Sequence, residues 1–256
     1  MRIYANAYEL MSEMGRNLYE MGLEVKPKTY QNKNIQDNPD FITKELICEQ
    51  YCLTKLPDPE MLFLYNGGKY AKSWADEEFK ERISGEVLNP GKAWELRREV
   101  WEEFLSSIQK FDYTYPERMN RIRRFHQESL TYLSAIIRLL REDYDTRKAV
   151  LSIFDPSLDA NYLGGEKRMP CSMYYDFLIR ENARGEKQLN ICYHQRSSDF
   201  ALHFGCDVYL AWNLMNYVAY QVGVKPGYLY HTIDSLHCYK RDWVKLKTSV
   251  GDIQHS

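Results

Sequence analysis

The sequence lacks any paired metal-ligand spacing. Its six cysteines, at 48, 52, 171, 192, 206 and 238, form no CxxC pair, and no cysteine–histidine set has zinc spacing, so no metal is expected. It has no surplus of either charge. The 34 Lys and Arg residues balance 36 Asp and Glu to a net −2, which gives no electrostatic reason to expect nucleic-acid or membrane binding. No apolar run is long enough to span a bilayer and no secretory signal is recognisable, so a reducing, cytoplasmic setting is expected. Internal repeats, low-complexity tracts and linkers are also missing, and residues 1–256 read as one domain.

What is present suits a packed enzyme core: 44% of residues are hydrophobic and 14% aromatic. Tyr4–Met21 has helical apolar spacing, and a polar loop follows from Lys26 to about Pro39. Asp40 is expected to cap a helix through Phe41–Ile47, which would carry Glu45 and put Cys48 and Cys52 on one core-facing side. The charged, glycine-broken stretch 57–89 predicts small helices at a rim. Ala93–Gln109 predicts an amphipathic helix with Trp94 and Trp101 on its core face. Arg121, Arg123 and Arg124 are expected to begin a helix striped by Leu130, Leu133, Ile136, Ile137 and Leu140. Ala149–Phe154, Met173–Ile179 and Gln188–His194 predict strands of one sheet, and Val208–Val222 a very apolar helix. Early helices followed by clustered strands indicate an α+β fold with helices laid on one face of the sheet.

The chemistry-bearing residues gather between Met169 and Tyr239. Pro170-Cys171 precedes a strand. Gln195-Arg196-Ser197-Ser198-Asp199 ends another, Asp207 follows eight positions later, and His237-x-Tyr239 lies downstream. A cysteine, an arginine and polar loops at strand ends are what covalent chemistry on an anionic ligand requires. These four pieces, with Asp145-Thr146-Arg147-Lys148, resemble the thymidylate synthase family over about residues 128–239. The first 110 residues resemble it weakly.

The resemblance implies a mixed or antiparallel sheet covered by helices, a sheet-mediated homodimer with shared active sites, a pyrimidine nucleoside monophosphate substrate and 5,10-methylenetetrahydrofolate as carbon donor. It implies Cys171 as the nucleophile at C6, with Glu45 and Tyr115 as further catalytic residues and Asp199 as catalytic and base-binding. Arg196 and Ser197 would hold the phosphate, Lys28 would approach it, and Arg147 and Lys148 would reach the partner's phosphate. His237 and Tyr239 would hold the sugar. An arginine beside the thiol would lower its pKa.

Three positions depart from the family pattern. Ser172 stands for a histidine, Asp176 for a glutamine, and Asp207 for the asparagine that faces the base. A carboxylate only accepts hydrogen bonds, so Asp207 opposes uracil O4 and suits the N4 amino group and protonated N3 of cytosine. The same substitution resembles the bacteriophage deoxycytidylate hydroxymethylases. Asp207 as a plain helix cap is the alternative. The polar tail Thr248–Ser256 lacks the family's apolar closing sequence, which favours water over hydride as the final nucleophile, with Glu45 orienting the water.

The expected reaction is therefore transfer of a hydroxymethyl group to C5 of dCMP. The alternatives are methylation of dCMP or dUMP, a deoxyuridylate-specific relative, hydroxymethylation of CMP, and an idle relative that binds nucleotide or RNA.

Overall fold

The computed structural model describes residues 1–30, 33–64, 68–125, 128–160 and 167–246. The polar tail therefore lies outside the described residues, apart from its approach through Leu246.

An eight-stranded mixed sheet carries the site. Its strands are β1 (Arg2–Tyr4), β2 (Leu23–Val25), β3 (Thr43–Leu53), β4 (Val150–Ser152), β5 (Ser172–Glu181), β6 (Lys187–Gln195), β7 (Ser198–Asp199) and β8 (Lys225–Tyr239). The order across the sheet is β1-β3-β8-β6-β5-β4, with β2 beside β3 and β7 beside β8. β6 runs parallel to β8, while β3 against β8, β5 against β6 and β4 against β5 are antiparallel. The predicted strands at 149–154, 173–179 and 188–194 all form.

Alternation along the strands selects the buried face. Tyr175, Phe177 and Ile179 of β5, Leu189, Ile191 and Tyr193 of β6, and Leu229, His231 and Ile233 of β8 all point into the core. Of the four main helices, α1 (Ala7–Met21), α3 (Tyr132–Glu142) and α4 (Gly205–Val222) pack against the sheet, and α2 (Gly68–Ile83) packs against α4. α1 starts at Asn6, whose side chain accepts from the Glu9 amide at 2.8 Å. α4 ends at Gly223, which adopts φ 81° to turn its N–H back to Ala219 O at 2.9 Å, a left-handed stop that glycine makes cheaply. No helix among the described residues is long and apolar enough to cross a membrane.

Four local expectations fail. The helix expected at 41–47 is the eleven-residue strand β3. Asp40 does not cap it; Asn38 caps a single 3-10 turn at Pro39–Phe41. β3 is held between β8 on one side and β1 and β2 on the other, and that hydrogen bonding decides its state. Cys48 and Cys52 therefore share no helical face. Cys48 is exposed with φ 55°, where the pairing with β8 is interrupted between Glu49 and Ile47 without a change of register, and Cys52 is buried.

The stretch 57–89 is not a rim of small helices, since after a 3-10 turn it forms the sixteen-residue α2. Residues 93–104 make two 3-10 turns around one helical turn rather than an amphipathic helix. Ile122–Phe125 and Glu128–Thr131 form a hairpin, so the helix begins only at Tyr132, capped by Thr131. Its expected stripe of Leu133, Ile136, Ile137 and Leu140 is buried.

Candidate active site

The carboxyl ends of β6 and β8, the start of β5 and the first turn of α4 meet α2 around a cavity of about 420 Å³. Cys171, Arg196, Ser197, Asp199, Asp207, Tyr115, His237 and Tyr239 all line it, although they come from positions 115 to 239. Eight of the twelve residues singled out from the sequence thus converge on one space. Lys28 is exposed and does not line the cavity, whereas its neighbours Thr29 and Tyr30 do. Arg147 and Lys148 are exposed on the loop between α3 and β4 and also lie outside it.

Glu45 lies outside the cavity too, because the helix expected to carry it does not form. It sits on β3 opposite His237 of β8, not on a helix, and is absent from the cavity lining. The glutamate that does face the cavity is Glu78 of α2, which accepts from Arg82 Nε at 2.8 Å. Arg82 in turn lies 4.1 Å over the Tyr115 ring. The signal for this was present in the sequence: Ala71, Trp74, Ala75 and Glu78 recur at helical spacing, putting a carboxylate on the buried side. Glycine breaks and many charges at 57–89 masked it.

Cys171 precedes β5, and its carbonyl accepts from the Arg196 amide at 2.9 Å. The Arg196 guanidinium is aimed by two main-chain carbonyls, Nε to Pro170 O and Nη2 to Met169 O, each at 2.9 Å, and Nη2 stands 3.8 Å from Cys171 Sγ. Burial nevertheless pushes the Cys171 thiol up, and Arg196 offsets only part of this, so the thiol is not activated by the arginine alone as the sequence suggested.

Ser172 fills the departure from the family's histidine with a hydroxyl cluster. Its Oγ donates to the Tyr115 hydroxyl oxygen at 3.1 Å and meets the Tyr193 hydroxyl at 2.5 Å. Asp176, the second departure, lies on the other face of β5 and outside the cavity.

Both aspartates are built in rather than solvated. Asp199 closes β7 and accepts from the amides of Ala201 at 3.0 Å and Leu202 at 3.2 Å, capping the π-turn Phe200–Phe204. Burial raises it from 3.8 to about 7, with Asp242 adding to the rise. That turn delivers Asp207 to the first turn of α4. Asp207 caps nothing; its Oδ2 accepts from Gln195 Nε2 at 2.9 Å and Ser198 Oγ at 3.2 Å. Burial raises it from 3.8 to about 6 against the lowering effect of Gln195, Arg82 and Ser198.

The far wall is aromatic and basic. Trp74 and Trp101 stack at 5.6 Å, and Trp94 joins them in the lining, so these tryptophans are cavity wall rather than closed core. Arg168 packs its guanidinium 4.1 Å over Phe104 and reaches the same space, with His203 beside Trp101 at 5.4 Å. Burial drives His203 down to about 3, so it stays neutral. A flat aromatic wall in a cavity that also holds the buried carboxyl of Asp199 fits a pterin with its amino and ring N–H donors.

The thymidylate synthase family model matches residues 89–254. A provisionally named thymidylate synthase of Methanosarcina barkeri is 30% identical over 70% of this chain and 76% of its own. A deoxyuridylate hydroxymethyltransferase of Bacillus phage SP01 is 29% identical over 52% of this chain and 35% of its own. Thermostable thymidylate synthase A from Bacillus subtilis superposes with a TM-score of 0.72 over 96% of this chain and 84% of its own, at 14% identity, a likeness of fold. The chain belongs to the thymidylate synthase family, the folate-dependent one-carbon transferases that work at C5 of a pyrimidine nucleotide with 5,10-methylenetetrahydrofolate as co-substrate.

Proposed function

We propose that this protein hydroxymethylates C5 of dCMP. The observation that carries the reading is Asp207, an acceptor-only side chain aimed into the cavity that also holds Cys171, with its Oδ2 fixed by Gln195 and Ser198. Facing a base, a carboxylate accepts from the N4 amino group of cytosine, and from N3 once that nitrogen gains a proton.

The steps follow from the residues present. The Cys171 thiolate adds to C6, which makes C5 nucleophilic. The co-substrate supplies the one-carbon unit that C5 takes up. Loss of the C5 proton, with tetrahydrofolate departing from the one-carbon unit, leaves an exocyclic methylene on the nucleotide; water adds to it, and the sulfur leaves from C6. Asp207 pairs best with the base when N3 is protonated, so it stabilises the adduct more than the free nucleotide. Glu78, rather than Glu45, is the carboxylate positioned to orient the water and take its proton. Arg196 and Ser197 would hold the phosphate, His237 and Tyr239 the sugar hydroxyl, and Trp74 and Asp199 the co-substrate.

Water as the final nucleophile is supported by the name of the phage relative. That relative's name specifies deoxyuridylate, which is the competing substrate. We also propose a homodimer in which Arg147 and Lys148, exposed on one protomer, reach the phosphate of its partner. The test is mass spectrometry of products from dCMP, dUMP and CMP with methylenetetrahydrofolate, alongside the absorbance of dihydrofolate. The expected result is 5-hydroxymethyl-dCMP without dihydrofolate. Dihydrofolate formed in step with product would make the enzyme a methylase, and a preference for dUMP would refute the base assignment.

A further inference from the structure

Behind Asp207 a file of hydrogen bonds leaves the cavity and enters the core. Gln195 Nε2 donates to Asp207 Oδ2 at 2.9 Å, Gln195 Oε1 meets His231 Nε2 at 2.9 Å, and His231 Nδ1 meets the Tyr51 hydroxyl at 2.7 Å. Gln195, His231 and Tyr51 are all buried and none of them lines the cavity. The sheet constructs the file. His231 on β8 is the register partner of Tyr193 on β6 and of Tyr51 on β3, and its ring stacks on Tyr193 at 4.4 Å.

The file can run in only two directions. With Asp207 ionised, the carboxylate accepts, so the amide NH2 of Gln195 must face it and Gln195 Oε1 must face His231. His231 then carries its proton on Nε2, and its bare Nδ1 accepts from Tyr51. In the reverse direction a protonated Asp207 donates to Gln195 Oε1, Gln195 donates to Nε2, and Nδ1–H donates to Tyr51. The Tyr51 hydroxyl hydrogen would then need an acceptor, and Tyr51 has no second hydrogen-bond partner among the described residues. A buried donor without an acceptor is costly, so Tyr51 permits one direction and opposes the other. Burial drives His231 down to about 3, so a doubly protonated ring does not enter the choice.

We propose that Tyr51 and His231 are positioning residues that fix the Gln195 amide toward Asp207, keep that side chain an acceptor, and so set the preference for an amino-bearing base. The proposal rests on the reading that Asp207 meets the base. Tyr51→Phe keeps the ring and removes only the hydroxyl. Either direction of the file then leaves one Nδ1 position unmatched, and the bias toward the carboxylate is lost.

The experiment compares the ratio of kcat/KM for dCMP over dUMP in wild type, Y51F, D207N and the double variant. Y51F should lower the ratio by about 5-fold or more, the lower end of what one unsatisfied buried polar group does. D207N should lower it further, and the double variant should match D207N, because the carboxylate on which the file acts is gone. A ratio that D207N moves and Y51F does not would overturn the proposal alone. A ratio that D207N leaves unchanged would overturn the base reading and the proposal with it. Nitrogen-15 NMR of the wild-type imidazoles gives a second readout that needs no variant to fold. His231 is expected to be protonated on Nε2 and bare on Nδ1, and the opposite tautomer would overturn the proposal.

Discussion

Replacing Asp207 by asparagine separates recognition of the base from the rest of the site. The side chain keeps its shape, and the amide oxygen can take the hydrogen bonds that Gln195 Nε2 and Ser198 Oγ now give to Oδ2. The amide NH2 then faces the cavity as a donor, which matches uracil O4 and opposes the cytosine amino group. One mismatched buried polar contact costs about 1–3 kcal/mol, roughly 5- to 150-fold, and kcat/KM for dCMP relative to dUMP should fall by that factor.

The same variant has a stability signature. Burial raises the Asp207 carboxyl from 3.8 to about 6, and a raised carboxyl contributes stability below pH 3.8 that is lost as pH climbs through about 6. At pH 8 the ionised group therefore costs about 3 kcal/mol, at ~1.4 kcal/mol per pKa unit, and asparagine removes that cost. Thermal melts should show D207N gaining several degrees over wild type at pH 8, at about 2–4 °C per kcal/mol for a chain of this size, and gaining nothing near pH 4. A melting difference that does not grow with pH would show that Asp207 is not a buried, ionised group. An unchanged substrate ratio would show that it does not meet the base.

Cys171→Ala should abolish turnover while dCMP still binds; residual activity of even a few per cent, measured by product formation, would remove Cys171 as the C6 nucleophile. Glu78→Gln should lower kcat by about 100-fold or more with little change in the dissociation constant for dCMP, because a general base is lost and the shape is kept. Steady-state rates for Glu45→Gln, by contrast, should stay near wild type. Mixing inactive Cys171→Ala protein with inactive Arg147→Ala protein should restore some activity, since one site of the mixed dimer is then complete. Sedimentation showing an active monomer would refute the shared site.

The part of the cavity built between Cys171 and Tyr239 was legible in the sequence because its pieces are short, local and chemically constrained. Pro170-Cys171 precedes one strand and Gln195–Asp199 ends another, both with plain alternation, Asp207 opens an apolar helix, and His237-x-Tyr239 closes a third strand. Periodicity also sufficed for α1, α4 and the three strands at 149–194. Only the tertiary structure decided β3, which has no strong strand composition and is held by hydrogen bonds to β8 more than 170 residues away. With it went the helix that seemed to carry Glu45. The same applies to Glu78 and Trp74, whose helix looks like a charged surface segment until α4 and the 93–104 turns cover one side of it. The hydrogen-bond file from Asp207 to Tyr51 has no sequence signature at all. Its members stand at 51, 195, 207 and 231: strand register sets Tyr51, His231 and Gln195 in line, because neighbouring strands bring side chains within hydrogen-bond reach whatever their separation along the chain, and the π-turn before α4 brings Asp207 to them.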